Sequence, residues 1–255
     1  SLQKHGKESI LKGGGRSVSR FALESLAKRY PEPLRAQQLQ DVDRQLFHLS
    51  LLGNDCRRLA DLGGGIGLFA PTCAARAIET WLVDDFNDPV NQRFPIESLG
   101  VHDAVNVMKA NIENGIPAEL SSLDTITCFE TIEHLHRTPR PLLETAFRAL
   151  RPGGHIIVSG PNAVNLRKRL AVLTGRSNWS RFDDWFYEET FRGHVREPVV
   201  HDLRRMLEET GFIVQRVWGR NWALRRAARV GSVLDIPLRV VPSLCSTLYV
   251  RALRP

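Results

Sequence analysis

The apolar positions of this chain change period several times. Between Ser17 and Leu52 they recur at helical spacing (Phe21, Leu23, Leu26, then Leu34, Leu39, Val42, Leu46, Phe47 and Leu49), interrupted by Pro31 and Pro33. The pattern predicts two helices ahead of the first strand, leaning over the ligand edge of a sheet. Leu59 to Leu62 is a short apolar run with an acid inside it. A glycine-rich stretch, Gly63 to Gly67, follows, and then a helical pattern from Leu68 to Ile78. Further strands are expected at Thr80–Asp84, within Ala104–Met108, at Asp124–Phe129 and at His155–Ser159, with the last ones at Phe212–Val217 and Leu244–Ala252. Between them lie a loop with Pro89 and Pro95, a helix over Pro139–Leu150 stopped by Arg151-Pro-Gly-Gly154, and a helix over Val200–Thr210 stopped by Gly211. Strands alternating with helices argue for an α/β fold with a mostly parallel sheet, antiparallel strands entering only near the end. No internal repeat is present. The first 15 residues read as flexible. Residues 163–199, rich in arginine and aromatics and placed after a strand end, read as a lid.

The stretch Leu59-Ala-Asp-Leu-Gly-Gly-Gly-Ile-Gly67 carries most of the information. Strand, glycine turn and helix form a nucleotide crevice at the strand ends of an open α/β sheet, and glycines let a ligand lie against bare backbone. The dinucleotide fingerprint needs Gly or Ala three residues after its second glycine, and that position is Leu68. An acid, Asp61, also stands just before the turn, where a pyrophosphate would be poorly received. A ligand with a cationic group fits better.

Composition narrows the class without deciding it. In 255 residues, 42% hydrophobic and 25% charged, there is room for one α/β domain with additions or for two small domains. No apolar run approaches the ~20 residues of a membrane-spanning helix, and no signal peptide is visible, so a cytoplasmic setting is expected. Cys56, Cys73, Cys128 and Cys245 are widely spaced, with no CxxC pair to indicate zinc or a disulfide framework. The net charge of +7 is carried mainly by arginine. One cluster, Arg216, Arg220, Arg225, Arg226 and Arg229 with Trp218 and Trp222, reads either as a surface for an anionic substrate, lipid headgroup or nucleic acid, or as a solvated helix face with its tryptophans inward.

Asp61-Leu-Gly63-Gly-Gly65-Ile-Gly67 resembles motif I of the S-adenosylmethionine-dependent methyltransferases with a seven-stranded Rossmann-like sheet, and the resemblance continues in register over about residues 55–217. Asp84 falls where that family places the acid for the ribose hydroxyls, with Asp85 as its neighbour. Ala110-Asn111-Ile112 falls where Gly-Asp-Ala often lies beside the adenine. Leu123–Leu135, Leu150–Gly154 and Ser159–Asn162 match later signatures. The resemblance implies S-adenosylmethionine as cofactor, held by Asp61, Gly63, Gly65, Gly67, Asp84, Asn111 and Phe129. It also implies residues 1–52 as a helical extension and residues 53–255 as the methyltransferase domain with its lid. Asn111 departs from the usual aspartate: its amide oxygen can still accept from the adenine amino group, or it is a simple turn residue.

An oxygen acceptor needs its proton removed or its pKa lowered, and Glu130-Thr-Ile-Glu133-His134-Leu-His136 is the place to look. If a helix starts here, Glu130, Glu133 and His134 converge. This ExxEH arrangement resembles the metal site of small-RNA 2′-O-methyltransferases and of ubiquinone-pathway O-methyltransferases, which implies Mg²⁺ or another divalent cation on Glu130, Glu133, His134 and His194. Catalysis would then rest on His134, Glu130 and His194. Two other readings stay open: a metal-free base role for His134 and a purely structural one. His136, His155 and His201 read as structural or exposed. The leading expectation is O-methylation of a small-molecule or glycan-like acceptor. Trp179, Trp185, Phe186 and Tyr187 of the lid would stack on its ring or form the lid's own small core. Asn165, Arg167, Arg169, Arg176, Arg181 and Arg196 would hold an anionic group. An RNA acceptor, a nicotinamide-dependent oxidoreductase and a non-catalytic cofactor-binding domain are the alternatives.

Overall fold

A computed structural model describes residues 18–178, 180, 182–222 and 235–255. The expectations for the first 15 residues, Trp179, Arg181, Arg225, Arg226 and Arg229 lie outside the described residues. Seven strands form one sheet: β1 (Arg58–Leu62), β2 (Glu79–Asp84), β3 (Asn106–Lys109), β4 (Leu123–Cys128), β5 (Leu150–Pro161), β6 (Ile213–Arg220) and β7 (Thr247–Leu253). Their order is β3-β2-β1-β4-β5-β7-β6. The first five run parallel, while β7 is inserted antiparallel between β5 and β6. The order reverses at β1, so the C-terminal ends of β1 and β4 open the crevice that an α/β sheet offers a ligand.

Alternation along the strands divides the core. Leu59, Leu82, Ile157 and Tyr249 face one side; there they pack with Leu23, Tyr30 and Leu34 of the N-terminal helices and with Leu68 and Phe69. Ala60, Leu62, Val83, Ile156 and Val158 face the other, against Leu142 and Leu143 of α6 (Arg140–Ala149) and Leu203 and Leu207 of α9 (Val200–Glu209). A period of two on strands buried on both faces yields this double layer. The N-terminal helices therefore share a core with the sheet.

Three helices precede the sheet where two were expected: α1 (Arg20–Ala27), α2 (Leu34–Gln40) and α3 (Val42–Leu51). Asp41 separates the last two in a conformation that closes one helix and opens the next. The helix after the glycine turn, α4 (Phe69–Ala75), stops short of Ile78 because Ala77 adopts a positive φ of 62°, and the loop expected at Pro89 holds a short helix, α5 (Pro89–Arg93). Arg216, Trp218 and Arg220 lie on β6, so this part of the arginine cluster is strand and not helix. Arg216 stacks over Trp218, and Arg220 over Phe47. Residues 163–199 contain α7 (Leu166–Leu173), a short helix at Phe182–Phe186 (α8) and irregular chain. Among the described residues, no helix is long and apolar enough to cross a membrane.

Candidate active site

Asp61 faces the core layer that holds α4. It is buried and accepts a hydrogen bond from Thr127 Oγ1 at 2.7 Å, its register partner on β4. Burial pushes its carboxyl up to about 7; the bond from Thr127 opposes the rise, and the negative charge of Asp84 adds to it. The other carboxylate oxygen sits where a side chain on Gly64 would be, and Thr131 fills the same space at Gly63. These two glycines make room for protein atoms. Gly65 is different: its φ is +53°, and the nearest atom to an added Cβ is Asn91 Oδ1 at 3.7 Å, so this stretch of backbone is open. Behind the turn, the Tyr30 hydroxyl donates to the Gly67 carbonyl at 3.1 Å.

Asp84 ends β2 facing this turn. Its Oδ2 accepts from the Gly65 N–H at 2.9 Å and its Oδ1 from the Phe86 N–H at 2.7 Å. Burial outweighs these bonds and raises its pKa. Asp85 accepts from the Asn87 N–H in the next turn. Asn111 follows β3 and caps the 3₁₀ turn Ile112–Asn114 through its Oδ1, which accepts from the Glu113 N–H at 2.8 Å. One lone pair of that oxygen is thereby used and one is left. Gly63, Asp84, Asp85, Asn111, Glu130, Thr131 and His134 line a single cleft of about 280 Å³, together with Ile112, Glu113, Leu135 and His136. Asp61, Gly65, Gly67 and Phe129 are not among its lining residues. The Phe129 ring stacks on His48 at 4.0 Å and meets Phe69 edge-on.

After β4 the chain does not begin the helix expected at Glu130. Glu130 has a φ of +51°, and a 3₁₀ turn over Ile132–His134 follows. A non-glycine residue in the left-handed region is strained and needs compensation. Ser159 supplies it: its Oγ accepts from the Glu130 N–H at 3.1 Å and donates to the Glu130 carboxylate at 2.8 Å. The turn brings Glu133, His134 and His194 together, each with a ligand atom within 4.8 Å of the other two. Glu130 stands outside that trio. It still contributes charge: Glu133 is pushed up to about 9, first by burial and then by Glu130. Glu133 Oε2 is buried with no hydrogen-bond partner.

His194 is delivered by the segment after α8. The Val195 and Arg196 N–H groups donate to the Glu133 carbonyl at 2.8 and 3.3 Å. His194 Nδ1 pairs with Glu197 Oε1 at 2.9 Å, and the two histidine rings meet edge-on at 4.9 Å. Lys168 of α7 pairs with the other oxygen of Glu197. Burial alone would raise the Glu197 pKa, but the bonds from His194 and Lys168 bring it below the usual carboxylate range. Desolvation, then the neighbouring His194, lowers the pKa of His134.

Thr127, Ser159 and Glu197 were not singled out from the sequence. Glu197, three residues after His194, was the most findable, because acids often orient a ligating histidine. Of the residues expected to hold an anion, Asn165 caps α7, Arg169 donates to the Val164 and Ser243 carbonyls, and Arg196 pairs with Asp202. Arg167 and Arg176 line a separate cleft.

The cleft offers a carboxylate at the end of β2 and an amide beyond it, with the open Gly65 backbone bonded to that same carboxylate. A family model described as "Methyltransferase domain" matches residues 21–217. The ubiquinone biosynthesis O-methyltransferase of Vibrio cholerae is 22% identical over 181 residues, 71% of each chain. Its namesake from Alkalilimnicola ehrlichii is 29% identical over 162 residues, 62% of this chain and 64% of that one. Among solved structures, an S-adenosylmethionine-dependent methyltransferase from Mesorhizobium loti superposes with a TM-score of 0.58 at 17% identity, covering 84% of this chain and 98% of that one. Phosphoethanolamine N-methyltransferase 2 of Haemonchus contortus, in complex with S-adenosyl-L-methionine, gives 0.57 at 14% identity, covering 93% and 57%. The chain belongs to the methyltransferase-domain family and is an S-adenosylmethionine-dependent methyltransferase with a seven-stranded Rossmann-like fold.

Proposed function

We propose that this enzyme methylates an oxygen of a small hydroxylated acceptor with the help of a divalent cation held by Glu133, His134 and His194. The convergence of these three side chains, with Glu133 Oε2 buried and unpartnered, carries the reading. A buried carboxylate without a hydrogen-bond donor is costly unless a cation compensates it. The names of the Vibrio and Alkalilimnicola relatives favour oxygen over nitrogen as the methylated atom.

Asp84 accepts from the ribose hydroxyls, and Asn111 presents its remaining lone pair toward the adenine. Asp61 shapes the glycine turn from beneath. With the cation bound His134 is one of its ligands, and the acceptor's proton would leave to solvent; only without the cation is His134, on the wall of the cleft, free to take that proton. The acceptor oxygen then forms its bond to the methyl carbon as the carbon–sulfur bond breaks, and neutral S-adenosylhomocysteine is left. When bound, a divalent cation lowers the pKa of a hydroxyl beside it and orients it. Glu197 holds His194 in place, and Glu130 adds negative charge nearby.

Methyl transfer to a panel of phenols, glycans and RNA, with and without chelator, tests this. Activity on a small hydroxylated acceptor should fall on chelation and return with Mg²⁺ or Mn²⁺. Activity untouched by chelator would overturn the cation's role and leave His134 acting alone. Transfer only to RNA, weakening steeply with salt, would overturn the acceptor class.

A further inference from the structure

Nine of the sixteen large apolar side chains exposed among the described residues fall between 164 and 187. Neither α7 nor α8 buries a single residue. Leu173 is 81% exposed, Trp185 65% and Tyr187 73%, and the rings of Phe182, Trp185, Phe186 and Tyr187 pack on one another and not on the core. Val240 and Val241 add to this surface where Arg169 ties α7 to the Ser243 carbonyl. Short helices gain their stability from packing an apolar face, and an exposed apolar patch of this kind marks an interaction site.

The charge pattern points to the occupant. Residues 164–178 carry Arg167, Lys168, Arg169 and Arg176 and no acid. A cleft of about 490 Å³ beside the exposed Leu170 is lined by Arg167, Arg176, Ser177 and Asn178, donors of the kind that receive a phosphodiester, and by Lys168, which is taken up by Glu197. Asp183 and Asp184 stand on α8, so the positive side belongs to α7 and the loop after it. Leucines interleaved with arginine and lysine, next to exposed tryptophan and tyrosine, are the make-up of a helix that lies in a membrane interface.

We propose that α7 and α8 seat the enzyme on an anionic lipid surface, with Leu170, Leu173, Trp185 and Tyr187 entering the headgroup region and Arg167 and Arg176 meeting lipid phosphates. The test is flotation of the full chain with phosphatidylcholine vesicles and with vesicles that also contain phosphatidylglycerol. Binding should favour the anionic vesicles and weaken in high salt. L173S combined with W185S should lower partitioning by about tenfold or more. R167E combined with R176E should remove the preference for phosphatidylglycerol. S-adenosylhomocysteine binding, unchanged in both variants, shows that the fold is kept. A chain that stays in solution with both vesicle types overturns the proposal, as does binding indifferent to L173S and W185S. Concentration-dependent dimerisation abolished by those two substitutions, with no vesicle binding, also overturns it and assigns the face to a second copy.

Discussion

Asp84 is the residue on which the cofactor end of the site turns, and its two backbone bonds fix where it points. Asp84→Ala is expected to weaken S-adenosylhomocysteine binding by ~1–3 kcal/mol, the worth of hydrogen bonds to a charged acceptor. Asp85→Ala should leave calorimetric affinity nearly unchanged, since Asp85 serves its own turn. Gly64→Ala tests the opposite kind of residue, one small for internal reasons. Its methyl group would collide with the Asp61 carboxylate, so thermal melting should fall by several degrees, about 1–3 kcal/mol of overpacking in a domain this size. Asp61 also imposes a pH dependence. Its folded pKa, about 7, lies above the ordinary aspartate value. The folded state therefore keeps a proton that the unfolded chain loses, and the contribution to stability is full below pH ~4 and lost as pH rises to about 7. Denaturant titrations over that window should show the decline in the wild type and a flatter profile in Asp61→Asn.

Elements were more legible than the contacts between them. Binary pattern and glycine chemistry located each strand and the main helices, because strands buried on both faces of a parallel sheet leave apolar runs between breakers. Helix ends escaped for local reasons: the positive φ of Ala77 and the break at Asp41 have no strong signature in the sequence. The 130–134 segment escaped for a tertiary one. A 3.6-residue period would align Glu130 with His134, but Ser159 of β5 holds Glu130 in a left-handed conformation, and the trio forms from Glu133, His134 and His194 instead. His194 reaches that trio through Glu197, itself held by Lys168 on α7. Glu197→Gln should thus weaken divalent-cation binding, measured by Mn²⁺ titration, by about 10–100-fold while leaving cofactor affinity intact, as the loss of a carboxylate behind a ligating histidine does elsewhere. Equal affinities in the two proteins would mean that Glu197 has no such role.

At the scale of the molecule, a cation shared by residues 133–134 and 194 would tie the turn after β4 to the segment after α8. Binding only to the folded state raises stability in proportion to the logarithm of ligand concentration. Mn²⁺ should therefore raise the melting temperature of the wild type and not of His194→Ala; a rise of equal size in both would place the ion elsewhere.

The insertion of β7 between β5 and β6 has a consequence for biosynthesis. A ribosome releases β6, residues 213–220, well before residues 247–253, the strand that joins it to the sheet. Until then β5 presents an open edge and β6 has no sheet to pair with, the state in which nascent chains recruit chaperones or find each other. The cofactor crevice, built from strands β1 to β4, can be complete on the nascent chain while the sheet is not. S-adenosylmethionine present during translation would then secure the first half of the fold while the second is still being made.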